Sequence, residues 1–366
     1  MGKIFIAFAG KKSSETEITL RLSPTIEYWN LQNIDFDTFV DLVKKAIHPV
    51  HDNITDDRYA QDTWKCDVKQ LYQNEASFGL LLPTPATDRN YGYHDAALHA
   101  LNLFSPAFLY PIFHVDDLGC SATPHLHTSR EYGQTVRDQP DVSKHFRTEN
   151  FVKYYEKTFG SLDYFGRNRD LGKTWMPNDW RLCWMHTLYG DLRGYQNTAK
   201  IQGTFLKECV DLCVILEALF FDEKAEKETP MLRALLHCLF GKRQGIGSKL
   251  KQRTAVLVGS FRSGIPNTIY DLYDLRCKYV HGEIFRKMKG FDDGSPTGKD
   301  FDFLEKATSY VRYLLIAYTF LYVQRQDIGV KNDEIVPLLD AAILDCTLRK
   351  KIQEKSQEIL SLLPTN

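Results

Sequence analysis

A chain of 366 residues with a formal net charge of −1, 43% apolar and 25% charged residues has the balance of an ordinary globular protein and the length for two or three domains. Near-neutral charge excludes a global basic field, so any contact with nucleic acid has to come from local patches. The longest apolar runs, CVDLCVILEALFF and YLLIAYTFLYV, fall short of the ~20 residues a membrane span needs. Eight scattered cysteines without a CxxC pair fit a reducing compartment, and the expectation is a soluble, cytoplasmic protein.

From the N-terminus, strand-like stretches (KIFIAFAG, EITLRLS, FGLLLPTP, FLYPIFHV) alternate with helical ones (FDTFVDLVKKAIH, YHDAALHALNLF), and proline, glycine and asparagine punctuate them. This predicts an α+β domain over 1–160. A turn-rich stretch, SLDYFGRNRDLGKTWMPND, reads as a linker over 161–177. The chain then turns helical. Asn178 and Asp179 are placed to cap WRLCWMHTLYGDLRGY, and FLKECVDLCVILEALFF follows with apolar residues near helical spacing. PMLRALLHCLFG, SKLKQRTAVLVGSF, NTIYDLYDLRCKYVHG and the long DFLEKATSYVRYLLIAYTFLYVQR come next. Helices with short connections predict an all-α bundle over 178–326. The amphipathic tail 327–366 is expected to be a helical extension that completes the bundle, dimerises or docks a partner.

LYDLRCKYVHGE holds Arg276 and His281 five positions apart, followed by Gly282. The bare pattern is weak, since Arg181 and His186 repeat it inside an apolar stretch with two tryptophans, where a structural role is expected. At the first pair the glycine predicts that the helix ends at the histidine. Five residues on a helix turn through roughly 140° and rise ~7.5 Å. Both groups therefore meet at one atom only if the last turn unwinds or a second subunit completes the site. Arginine offers a permanently charged planar fork to phosphate. A histidine at a helix C-terminus titrates near neutrality. Together they are the equipment for phosphodiester cleavage without a metal.

The stretch LYDLRCKYVHG resembles the signature of HEPN domains, particularly the Apea-like HEPN family. DLCVILEALFF, KLKQRTAVLVG and RLCWMHTLYGDLRGY resemble that family's other helices in the same order, over roughly residues 178–326. The resemblance implies a dimerising helical bundle and, in many members, a metal-independent ribonuclease. It places Arg276 and His281 in the catalytic pair, Glu217 on the acidic position of the preceding helix, and Tyr273, Asp274 and Gly282 in supporting positions. Cys277 stands where HEPN ribonucleases usually carry a polar residue. RNA is the implied partner, no cofactor or metal is implied, and related families serve bacterial antiviral defence by abortive infection, with a regulatory or phage-derived protein as the trigger. The basic segments GKRQGIGSKLKQR (Lys242, Arg243, Lys249, Lys251, Arg253) and FRKMK (Arg286, Lys287, Lys289) are the candidates for holding an RNA backbone. The alternative is a bundle that has lost catalysis and serves as an RNA-binding or dimerisation module.

Other constellations are weaker. His114, Asp116 and Asp117 lack further ligands at defined spacing, and Cys120, His125 and His127 lack a fourth ligand or supporting shell. GKRQGIG is not a phosphate-binding loop, because no Lys-Ser/Thr follows its second glycine. Glu217 on an apolar face needs a partner, and Arg253 or Arg276 is the expected one.

Overall fold

The computed structural model describes residues 3–10, 17–47, 68–83, 93–107, 109–116, 119–122, 141–158, 180–198, 204–221, 246–259, 261–280, 298–325, 327–328 and 335–364. The chain divides into two compact units, Met1–Trp180 with Leu363–Asn366, and Arg181–Leu362. An antiparallel sheet with helices characterises the first, and the described residues of the second are helical. The expected linker 161–177 and the stretch PMLRALLHCLFG lie outside the described residues.

In the first unit, strands β1 (Lys3–Ala9), β2 (Thr19–Arg21), β3 (Glu27–Asn30), β4 (Ala76–Pro83), β5 (Tyr110–Asp116) and β6 (Gly119–Ala122) form one sheet in the order β2-β3-β4-β1-β5-β6, antiparallel throughout. β1 and β4 are buried on both faces, which explains their continuous apolar runs: a strand covered on two sides has no reason to alternate. On one face Phe5, Ala7, Trp29, Leu81, Phe113 and Val115 join Phe36, Phe39, Val43 and Ile47 of helix α1 (Phe36–Ile47). Helix α2 (Lys69–Glu75) adds Tyr72, whose hydroxyl donates to the carbonyls of Leu31 and Ile34 at 3.0 and 2.8 Å. On the other face Phe8, Tyr28 and Phe78 stack. Phe78 continues to Phe146, and Phe146 to Phe104 of helix α3 (Tyr93–Phe104) and Phe151 of helix α4 (Glu149–Thr158). Pro111 sits where the β1–β5 register shifts and outside the stretch paired with β6, a place where a missing N–H is tolerated.

Asp35 caps α1, accepting the Thr38 amide at 2.9 Å and the Thr38 hydroxyl at 2.6 Å. The Thr38 bonds hold its carboxyl below the ordinary aspartate range. With the folded pKa below the unfolded one, the cap acts fully above the unfolded value of about 3.9 and is lost as pH falls through the folded value. Amide protection in the first turn of α1, read by hydrogen exchange, is therefore expected to fall below about pH 4. Asp35→Ala is expected to show the reduced protection already at neutral pH.

The second unit is built from α5 (Trp180–Thr198), α6 (Thr204–Phe220), α7 (Ile246–Val258), α8 (Ile265–Val280), α9 (Gly298–Val323), α10 (Ile335–Leu344) and α11 (Cys346–Leu360). α9 is buried almost all round from Ala307 to Tyr322, as a central helix must be, and α6, α7, α8 and α11 pack on it. Gly259 ends α7 in the left-handed region at φ +54°, its amide bonded to Ala255 at 3.1 Å. α10 and α11 pack on α7 and on each other, and the tail beyond 326 falls within this unit through Leu362. Asp345 breaks the tail in two by capping α11 with bonds from the Thr347 and Leu348 amides. Among the described residues, no helix is long and apolar enough to cross a membrane.

Candidate functional site

Arg276 and Glu217 meet where α8 packs on α6. α8 turns Ile265, Ile269 and Leu272 wholly inward, with Tyr273 at the edge of the same face. α6 does the same with Leu212, Cys213, Leu216 and Leu219. Arg276 follows Leu272 by four residues and Glu217 follows Cys213 by four, so each stands one turn beyond a buried contact. The two inward turns are themselves joined, Cys213 Sγ lying 3.7 Å from the Leu272 carbonyl. Residues at the boundary of two packed helices are half-buried, and a charge there needs an opposite charge. Each supplies the other's.

Nη2 of Arg276 lies 3.5 Å from Oε1 of Glu217, with both side chains partly exposed. The guanidinium carbon stands 5.7 Å from the centre of the Tyr273 ring, within the reach of a cation–aromatic attraction. Arg276 Nε is buried and has no hydrogen-bond partner among the described residues. Burial works against the charge on Arg276, but Glu217 and Tyr273 outweigh it and its pKa is raised. The Tyr273 hydroxyl is pushed up by burial first and by Glu217 second, so it stays protonated at any physiological pH. Cys213, beneath the pair, is raised by burial and inert. The arrangement presents a permanent cation, braced on one side by a carboxylate and an aromatic ring, at the edge of a helix.

Of the residues the sequence singles out, the structure gathers Arg276, Glu217 and Tyr273 at one place, with Cys277 half-buried beside them. Asp274 is set apart: it pairs with Lys278 one turn along α8, both about half exposed. Glu217 takes Arg276 and not Arg253 as its partner. His281, Gly282, Lys242, Arg243, Arg286, Lys287 and Lys289 lie outside the described residues, as do Asp117, His125 and His127.

The expected basic surface on α7 is corrected at Arg253. Its side chain is buried, its Nε and Nη2 donate to the two carboxylate oxygens of Asp340 at 2.6 Å each, and Nη1 donates to the Phe220 carbonyl. A fork held bidentately by a carboxylate and closed off from solvent is not open to a phosphate. Lys251 is exposed and Lys249 half-buried. His186 is buried with Nε2 2.9 Å from the Thr319 hydroxyl, so the second arginine–histidine pattern places its histidine in the core.

The chain matches no family model, no curated protein and no solved structure.

Proposed function

We propose that the helical unit is a HEPN-like, metal-independent RNA endonuclease in which Arg276 and His281 carry the chemistry. The observation that carries this reading is the state of Arg276. It is a cation half-buried at a helix edge, braced by Glu217 and Tyr273, with its side chain still 24% exposed. Placing a charge there costs free energy, and a phosphate oxygen is the acceptor that offsets it best. His281 follows five residues on, immediately after the last residue of α8.

In the proposed reaction the RNA 2′-hydroxyl attacks the adjoining phosphorus while His281 removes its proton. The bond from phosphorus to the 5′-oxygen breaks, and the second histidine of a dimer protonates the leaving oxygen. The products are a 2′,3′-cyclic phosphate and a 5′-hydroxyl. Arg276 stabilises the charge that grows on the non-bridging oxygens. Glu217 and Tyr273 position the guanidinium rather than touch RNA. A dimer, a protein trigger and a role in antiviral defence belong to the same proposal and come from the resemblance alone. Cys277, beside the arginine where a polar residue is usual, favours the second reading, an RNA-binding or dimerisation module without catalysis.

The reading is tested by single-turnover cleavage of total RNA in EDTA. Arg276→Ala is expected to lower the rate at least about 100-fold, the scale for removing a preorganised charge donor. Arg276→Lys is expected to recover little of it, because a point charge does not reproduce a fork. Wild-type rates in both variants would reject the assignment.

A further inference from the structure

Tyr270 is 40% exposed, although it stands one turn from the buried Tyr273. Lys251 of α7 holds its Nζ 5.6 Å from the centre of the Tyr270 ring. Ile246, the first residue of the same helix, is 44% exposed. Gly247 joins this patch to the Arg276 site, since a Cβ there would stand 3.3 Å from ring carbons of both Tyr270 and Tyr273. Tyr270, Tyr273 and Arg276 follow at three-residue spacing, a ridge ~9 Å long on α8. Two cation–aromatic pairs thus stand side by side: Arg276 on Tyr273, recessed, and Lys251 on Tyr270, open to solvent.

We propose that Tyr270 and Lys251 form a nucleotide subsite beside Arg276, where an unpaired RNA base stacks on the Tyr270 ring and Lys251 pairs with the adjoining phosphate. This rests on the reading of Arg276 as a phosphate-binding residue of an RNA site and adds to it a place for the neighbouring base. An exposed ring next to a cation takes any base by its face. Bases inside a duplex are already stacked and cannot reach it. Gly247 lets both rings lie against α7, and a side chain there would press on them. Asp271, exposed next to Tyr270, opposes a phosphate at this place, so its removal strengthens binding. Asp274 is neutralised by Lys278 and does not.

The test uses the full chain carrying His281→Ala, so that RNA is not consumed, titrated with a fluorescent unstructured oligoribonucleotide and with its blunt duplex. Tyr270→Ala is expected to weaken single-strand binding about tenfold or more, Tyr270→Trp to retain it, and the duplex to bind weakly and indifferently to both. Lys251→Ala is expected to weaken binding and reduce the slope of log affinity against log salt by about 0.7, while Asp271→Asn strengthens binding. Wild-type affinity in Tyr270→Ala, or a duplex bound as tightly as the single strand, would overturn the subsite. So would a Tyr270→Ala chain that turns from dimer to monomer with its RNA affinity intact, because the ring would then cover a second copy. Cleavage by the unmodified chain in EDTA is measured alongside. Cleavage with no effect of Tyr270→Ala defeats the subsite alone, and Tyr270-dependent binding without cleavage upholds the subsite and favours the RNA-binding module over the endonuclease.

Discussion

Asp340→Ala is expected to destabilise the helical unit by about 3–5 kcal/mol, the cost of leaving one member of a buried ion pair without its partner. Arg253 is almost wholly enclosed, and Asp340 is its bidentate partner across α7 and α10. The third arm of the same guanidinium satisfies the Phe220 carbonyl at the end of α6, one of the last-turn carbonyls that a helix cannot bond internally. One side chain therefore ties three helices. Removing the aspartate strands a charge in the interior, and a fall in Tm of roughly 10 °C or more is expected for a unit of this size. The paired replacement Arg253→Met with Asp340→Leu is expected to recover most of the loss, because a buried ion pair is worth little over a well-packed apolar pair. Thermal melts of the three chains check both statements, and a single variant that melts like the wild type would refute the clamp.

Gly79→Val is expected to be nearly as damaging to the N-terminal unit, at about 3 kcal/mol, the upper end of ordinary overpacking. Gly79 lies on β4 opposite Ala7 of β1 and Trp29 of β3, in the middle of the sheet. A Cβ there would come within 2.1 Å of Phe5 Cζ, and the next nearest atoms are the two Cε carbons of the same ring. Phe5 has no room to yield, being held against Trp29 at 4.9 Å and Phe39 at 5.3 Å between ring centres. The three offending atoms are those that leucine lacks. Gly79→Ala is accordingly expected to be much better tolerated in a Phe5→Leu background than in the wild type. Strict additivity of the two substitutions in urea melts would contradict the close approach.

The elements legible in the sequence are those whose patterns are local. KIFIAFAG and FGLLLPTP announce β1 and β4 by apolar runs, and FDTFVDLVKKAIH announces α1 by its repeat. β3 escaped because Glu27–Asn30 is four residues long and follows a turn in which Ser23 Oγ bonds the amides of Thr25 and Ile26. Nothing but its neighbours in the sheet makes it a strand. α2 and α4 are not legible in the sequence either, being short and dependent on tertiary packing.

At the site, the nomination of Arg276, Glu217 and Tyr273 rests on the resemblance to the HEPN signature, and the choice between Arg253 and Arg276 as partner of Glu217 could not be made from the sequence. That choice depends on which face of α7 meets α10, a contact across 87 residues. A signal did exist. Arg253 stands three residues after Leu250 and four before Leu257, on the stripe that both helices bury, and a basic residue in an apolar stripe wants an acid rather than RNA. Tyr270 is not legible as a site residue in the sequence, because a tyrosine at helical spacing from Tyr273 reads as core. Only its exposure and the glycine against it set it apart.

The central claim, that this chain cuts RNA through Arg276 and His281 without a metal, is tested most directly by the ends of the fragments it makes in EDTA. The account predicts 2′,3′-cyclic phosphates on one side of each cut and 5′-hydroxyls on the other, with both lost in Arg276→Ala and His281→Ala. Cutting that needs a divalent cation, or that leaves 3′-hydroxyls and 5′-phosphates, would contradict it.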